Sequence, residues 1–410
     1  MKLLHSFCDP IETMPTVTSC NGRFIDSEGT HYYDLMAGKG CNVLGFNNEY
    51  VQYHVAHAHR TFPSNDWNAK PEIWNKLETA LQKKLPGYFA FVPAHSGSDA
   101  TDNALKFCFQ FYNNKKKNIV LVRKGSFHSG SITGWAMSDY RGWSNHLPDV
   151  EFVDFYDEDF ATVLDKHKGK ICAVMCDTVS WFHGVDEMSD SLIKKIKQGR
   201  FVHDYKIIAD EVFTGMYRFG SFAHSMERDL QPDIACFGKA LAGGFSSFAI
   251  TCITKEMFDG ISKPGPDGWA LPIAVGNSRS QDPVGATAVL ATLEYCDKNK
   301  VMFSVTNQVT KFLVDLADIL RKVETFDVTQ KNSFLNCKID KGRDQKTLND
   351  IRAFLNNAGL WQYSTTTIKI CSFYEIKKVE TDYILNVFDD LITKINQEKP
   401  LTNDAKGFII

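Results

Sequence analysis

Two carboxylates, Asp210 and Glu211, end the apolar run Lys206-Ile207-Ile208-Ala209, and a lysine, Lys239, follows a second run, Asp233-Ile234-Ala235-Cys236-Phe237. Short apolar runs of this kind read as buried parallel strands. In open α/β sheets ligands sit at the C-terminal edge of the strands, so an acid and an amine that both emerge there are placed to meet one ligand. Glycines flank the amine, Gly238 before it and Gly243-Gly244 after it, ahead of a third run, Phe248 to Ile253. Lacking side chains, they let another group come close. The chemistry open to such a pair is covalent: an amine that adds to a carbonyl, and an acid that keeps a proton on a partner nitrogen. The plain alternative is a salt bridge or a solvated rim.

The wider spelling is more specific. DEVFTGMYRFG (210–220) followed by QPDIACFGKALAGG (231–244) resembles the class III aminotransferase signature, DEV-x-TG-x-x-R-x-G ahead of PD-x-x-x-x-GKA-x-x-GG. It is most similar to the glutamate-1-semialdehyde aminomutase-like branch, and the resemblance spans roughly residues 30 to 300. It implies pyridoxal 5′-phosphate (PLP), with Lys239 forming the Schiff base and Asp210 keeping the pyridine nitrogen protonated so that the ring serves as an electron sink. By the same resemblance Val212 packs on one face of that ring.

Other segments extend the likeness. Ser96-Gly97-Ser98 opens a helix, whose first amides lack internal partners and carry partial positive charge, a cradle for phosphate; read alone, Ser96 is an ordinary N-cap. SGSDA resembles the family's SGTEA phosphate-binding turn, which implies that Ser96, Gly97 and Ser98 hold the phosphate. Phe127-His128-Ser129 resembles the family's aromatic-His-Gly, which sets Phe127 against the ring face opposite Val212 and His128 beside it. GNSRSQDPVGATAVLATLEY resembles a segment whose leading hydroxyl reaches the phosphate of the neighbouring subunit's cofactor. Ser278 holds that position, implying a homodimer with shared sites.

The departures bear on substrate. Asp177-Thr178 stands for the family's Glu-Pro, and Asp177 is either structural or reaches the cofactor's phenolic side. Phe213 replaces a polar residue that hydrogen-bonds the phenolic oxygen in many members, although the aminomutase branch is also apolar there. Phe245-Ser246-Ser247 replaces Gly-x-Pro. IKICSFYE lies where many members carry an arginine that grips a substrate carboxylate, leaving Lys369, a point charge without the bidentate fork. Trp67, Arg141 and Lys369 are the candidates for the substrate pocket, and a keto or aldehyde acceptor of biosynthetic type is the expectation.

The elements that must position these residues follow from the rest of the chain. At 410 residues it can build more than one domain. A net charge of −3, with 43% hydrophobic and 23% charged residues, offers no field for nucleic acid or an anionic membrane. Eleven cysteines without repeating spacing, several inside apolar runs, and the absence of a leader or membrane span point to the cytoplasm. Lys115-Lys116-Lys117 reads as a solvated turn. His54, His57 and His59 lack an i, i+4 pair, so no metal is expected.

Asn21-Gly22 marks a hairpin near the start. PEIWNKLETALQKKLP (71–86) reads as an amphipathic helix stopped by Pro86. Residues 129–147 read as a loop at the site's mouth. Alternating strands and helices predict an α/β fold: a large, doubly wound, mainly parallel sheet domain, PLP fold type I by the resemblance. A smaller α+β domain is built from the C-terminal part and the N-terminal segment. The expected division is 1–45 (packing with the small domain), 46–285 (large, PLP-binding) and 286–410 (small). The expected activity is amine transfer from a small-molecule donor to a carbonyl acceptor. The alternatives are an intramolecular aminomutase and a non-catalytic binding protein of the same fold; a dehydrogenase lacks the required G-x-G-x-x-G.

Overall fold

The structure is a computed structural model that describes residues 16–20, 22–26, 28–62, 71–113, 116–137, 149–182, 184–262, 281–339, 345–362 and 367–401. The described residues begin with three antiparallel strands, β1 (Thr16–Cys20), β2 (Arg23–Asp26) and β3 (His31–Asp34). Asn21 of the expected hairpin lies outside the described residues, but β1 and β2 pair with Cys20 opposite Arg23. The helices Glu49–Thr61 and Glu72–Lys84 follow, the second ending before Pro86.

The main sheet takes β4 (Ala90–Ala94), β5 (Ile119–Arg123), β6 (Glu151–Phe155) and β7 (Ile171–Cys176). After a small ribbon of β8 (Val179–Ser180) and β9 (Asp186–Glu187), it is completed by β10 (Lys206–Asp210), β11 (Ile234–Phe237) and β12 (Ala249–Ile253). The order is β4-β12-β11-β10-β7-β5-β6. β6, β5, β7, β10 and β11 run parallel, whereas β12 is antiparallel to both its neighbours. Side chains alternate between two apolar cores. Ile119 and Leu121 enter one cluster and Val120 and Val122 the other, as successive strand residues must.

Strands buried on both faces need helices over them. Gly97–Tyr112, Asp190–His203 and Pro283–Lys298 supply three, each begun by a capping side chain: Ser96, Ser189 and Asp282. A third core joins Tyr33 and Leu35 to Phe312, Leu316, Phe354 and Phe388. Its framework is β13 (Phe326–Lys331), β14 (Phe334–Ile339) and β16 (Ile368–Cys371), with the short β15 (Leu360–Trp361) pairing in parallel with β3.

Three expectations need correction. Lys117 is not a solvated turn residue. It is 8% exposed, with its amine 3.1 Å from Asp204 and 4.5 Å from the Tyr112 ring, because a long aliphatic stem can be buried once its head is paired. The stretch read as a loop from 129 contains the helix Ile132–Met137, while 138–148 lies outside the described residues. The helix Pro283–Lys298 crosses the expected domain boundary at 285/286, starting where Asp282 caps it; beyond its end the helices Val301–Ser304 and Thr310–Leu320 are joined through a π turn, Val305–Val309.

Candidate active site

Three adjacent parallel strands, β5, β7 and β10, bring their C-terminal ends to one edge. Because Cys176 pairs with Ala209, the next residues, Asp177 and Asp210, emerge side by side. Asp210 is 6% exposed and both its oxygens are engaged. Oδ1 accepts from the Val212 amide at 2.9 Å, and Oδ2 lies 2.9 Å from His128 Nδ1. Asp177 is 3% exposed; its Oδ1 accepts from Ser126 Oγ at 2.6 Å.

Lys239 follows β11 on the next lane of the sheet. It begins a single 3-10 turn, Lys239–Ala242, and its φ is +44°, a left-handed conformation that costs a residue with a side chain about 1–3 kcal/mol. The residue lines the cavity, and its amine sits 5.4 Å from the Trp181 ring and 5.6 Å from that of Phe213. Burial holds this amine below the usual lysine range, with Cys41 and Asp210 pulling in the opposite direction. A lowered amine pKa favours the neutral, nucleophilic form.

A cavity of about 280 Å³ joins these groups; Gly97, Ser98, His128, Asp210, Val212 and Lys239 all line it, as do Phe127 and Asp177. Its far wall is the start of the helix Gly97–Tyr112. Ser96 Oγ accepts from the Asp99 amide at 3.2 Å, so Ser96 is the cap and does not itself line the cavity. No described residue accepts from the amides of Gly97 and Ser98, which leaves two donors at a positive helix end. A Cβ on Gly97 would lie 2.5 Å from Val212 Cγ1, so the glycine lets Val212 sit over this turn. These features fit PLP: an amine for its carbonyl carbon, an acid for its ring nitrogen, free amides for its phosphate.

The mouth is aromatic. Trp181 stacks on Phe213 at 4.4 Å, and Phe127 on Phe182 at 5.4 Å. Trp181 was not singled out from the sequence; the available signal was an aromatic pair, Trp181-Phe182, just past a strand end. The fully buried Arg218 guanidinium lies 4.4 Å from the Phe213 ring and donates to the carbonyls of Phe213 (2.8 Å) and Gly40 (2.7 Å) and to Cys371 Sγ. It ties that wall to β16. Lys369, on β16, does not line the cavity. Its amine donates to the Phe182 carbonyl at 2.7 Å and lies 5.3 Å from the Trp181 ring. Trp67, Arg141 and Ser278 lie outside the described residues.

Two larger grooves, about 670 and 720 Å³, lie elsewhere. The first surrounds the opposite end of β10, where Lys206 pairs with Glu256 at 2.5 Å and Arg200 with Asp233 at 3.4 Å. Chemistry rather than volume marks the smaller cavity as the site.

Known proteins share this architecture. The structure matches that of adenosylmethionine-8-amino-7-oxononanoate aminotransferase from Methanocaldococcus jannaschii with a TM-score of 0.86 at 17% identity, covering 96% of this chain and 97% of that one. It matches taurine:2-oxoglutarate aminotransferase from Bifidobacterium kashiwanohense, solved in complex with PLP and glutamate, with a TM-score of 0.86 at 17% identity, covering 96% of each chain. In sequence, the acetylornithine aminotransferase of Caldanaerobacter subterraneus subsp. tengcongensis is 23% identical over 385 residues, 91% of this chain and 93% of that protein. The model of the family described as aminotransferase class-III matches residues 10–392, and with the amine, the acid and the free amides already gathered in one cavity, the chain belongs to the class III aminotransferases.

Proposed function

We propose that this PLP-dependent aminotransferase works through Lys239 and Asp210, the observation that carries the assignment being that both line one small cavity beside two helix amides that no described residue accepts from. When bound, PLP supplies the electron sink and carries the amino group between donor and acceptor. Lys239 Nζ holds the cofactor covalently and, once displaced by a donor amine, takes and returns the proton of the substrate carbon. Its enclosure favours the neutral amine that can accept that proton. Asp210, fixed by the Val212 amide and His128, would meet the ring nitrogen. The Gly97 and Ser98 amides bind the phosphate, Ser96 shapes their turn, and Val212 and Phe127 bracket the ring.

The family resemblance adds the partner subunit. Ser278 reaches the neighbouring site's phosphate in a homodimer, and Trp67, Arg141 and Lys369 are the substrate-pocket candidates. The domain division is 1–45, 46–285 and 286–410. Buried, unpaired cysteines such as Cys172 and Cys236 support a cytoplasmic setting, and no helix among the described residues is long and apolar enough to cross a membrane. The substrates are a small-molecule amino donor and a keto or aldehyde acceptor. Relatives named acetylornithine aminotransferase and adenosylmethionine-8-amino-7-oxononanoate aminotransferase support that class.

A second reading, amine migration within one molecule as in glutamate-1-semialdehyde aminomutase, is favoured by the apolar Phe213 in the wall. Detection of the amine on a second molecule excludes it. Lys239→Ala is expected to abolish the visible absorption band of the lysine-bound cofactor and all turnover. A variant that kept the band would overturn the lysine assignment.

A further inference from the structure

The proposed function gives Trp181 no part, yet its ring lines the cavity 5.4 Å from the Lys239 amine. Phe213, stacked on it with centroids 4.4 Å apart and planes 20° from parallel, lies 5.6 Å from the same amine. Over the outer face of either ring, the amine's two distances would differ by nearly the full ring separation. Because they are almost equal, the amine stands beside the stack and faces the edges of both rings. The space next to the reacting nitrogen on that side is therefore bounded by ring carbon. The cavity is also small, about 280 Å³ against roughly 300–1,000 Å³ for most ligand pockets, and the cofactor takes its share of it.

The ring is held in place from several sides. β8 sets the backbone before it, with Val179 opposite Glu187 and Ser180 opposite Asp186, and Ser180 Oγ donates to the Gly125 carbonyl at 2.5 Å. Phe127 and Phe182 each meet the ring edge-on at 5.9 Å, at 75° and 86°. The Lys369 amine stands 5.3 Å away, and its 2.7 Å bond to the Phe182 carbonyl ties down the next residue. A side chain packed on this many sides does not swing aside without disturbing its neighbours. We infer that Trp181 sets specificity in the proposed reaction by limiting the second group that the reacting carbon can carry. The inference rests on Lys239 being the reacting amine. The substrate class is an amine, or the matching carbonyl compound, whose reacting carbon bears no bulky group on the Trp181 side. In a tight apolar pocket one extra methyl or methylene is worth roughly 10–200-fold in kcat/KM.

The test compares two donors of identical composition, butylamine and 2-aminobutane (both enantiomers), which differ in whether the reacting carbon carries a second carbon group. In the PLP-loaded wild type, loss of the visible band is expected to favour butylamine by more than about 10-fold. Trp181→Ala should bring that preference below about threefold, and Trp181→Phe should fall between the two. Both donors are read on the same protein, so a loss of stability or of bound cofactor cancels from the ratio. If Trp181→Ala does not fold, Trp181→Phe alone carries the test. PLP affinity, read by titration, should stay within about threefold of wild type, because the ring acts on the substrate. A wild type that treats the two donors alike or responds to neither, or a variant that keeps the wild-type preference, would overturn the inference alone. So would a fall in PLP affinity with the preference unchanged, which would assign the ring to the cofactor. A wild-type protein that forms no visible band with PLP would overturn the proposed function, and this inference with it.

Discussion

The floor and the mouth of the cavity are built on different principles. Strand ends and one helix start make the floor: Asp210, Asp177 and Lys239 occupy neighbouring lanes of one sheet, and Asp210 has both oxygens engaged. The mouth comes from loops and from β16, and it is a stack of rings, Trp181 on Phe213 and Phe127 on Phe182, with Lys369 lodged against two of them. A hydrogen-bonded floor on a rigid sheet fixes one geometry, which is what cofactor chemistry needs. Rings carried by loops are held by packing rather than by a hydrogen-bonded register, and loops vary more readily than the sheet beneath them.

The sharpest way to break this division is at the acid. Asp210→Asn preserves the shape but not the charge, and should lower kcat/KM by about 10²–10³-fold with any donor the wild type uses. Steady-state rates measure it, and a near-wild-type value would mean that the floor does not set the chemistry. Gly97→Ala is next. The added methyl lies within 2.5 Å of Val212 Cγ1 and 2.9 Å of Cγ2, and a β-branched side chain is stiff at χ1, so Val212 must shift. A loss of about 1–3 kcal/mol in stability is expected, with weaker PLP binding by titration.

The smallest effect belongs to the mouth. Lys369 is 8% exposed, and burial, aided by nearby Lys338, lowers its amine from 10.5 to about 8. Between those values the unfolded chain binds the extra proton, so this group's contribution to stability rises as pH climbs from about 8 to 10.5 and is least favourable below 8. Lys369→Met should therefore stabilise at pH 7 by about 1–3 kcal/mol, less the lost bond to Phe182. Melting temperatures should show the gain shrinking toward pH 10.5 while PLP affinity stays unchanged. A gain independent of pH would show that packing, not charge, governs this side.

The same contrast explains what the sequence made legible. Period and punctuation revealed β10, β11 and β12 and the turn at Ser96, because apolar runs that end in Asp210 or Lys239 carry both the fold and the chemistry in one stretch. Nothing local announced that Trp181 would meet Phe213, or that Lys117 would turn inward, since those contacts join residues 32 and 87 positions apart. Lys369 could be read as a free cation only while its acceptor, the carbonyl of Phe182, was out of view.

The reversed direction of β12 has its own outcome. Because it returns beside β11, the chain leaves the sheet at Phe237 and re-enters at Ala249, with only a short tether between two bonded lanes. The backbone at position 239 therefore stays close to the end of β11, like a post set beside a frame. In the role proposed for Lys239, the travel is left to its long side chain and to the cargo, not to the main chain that carries it.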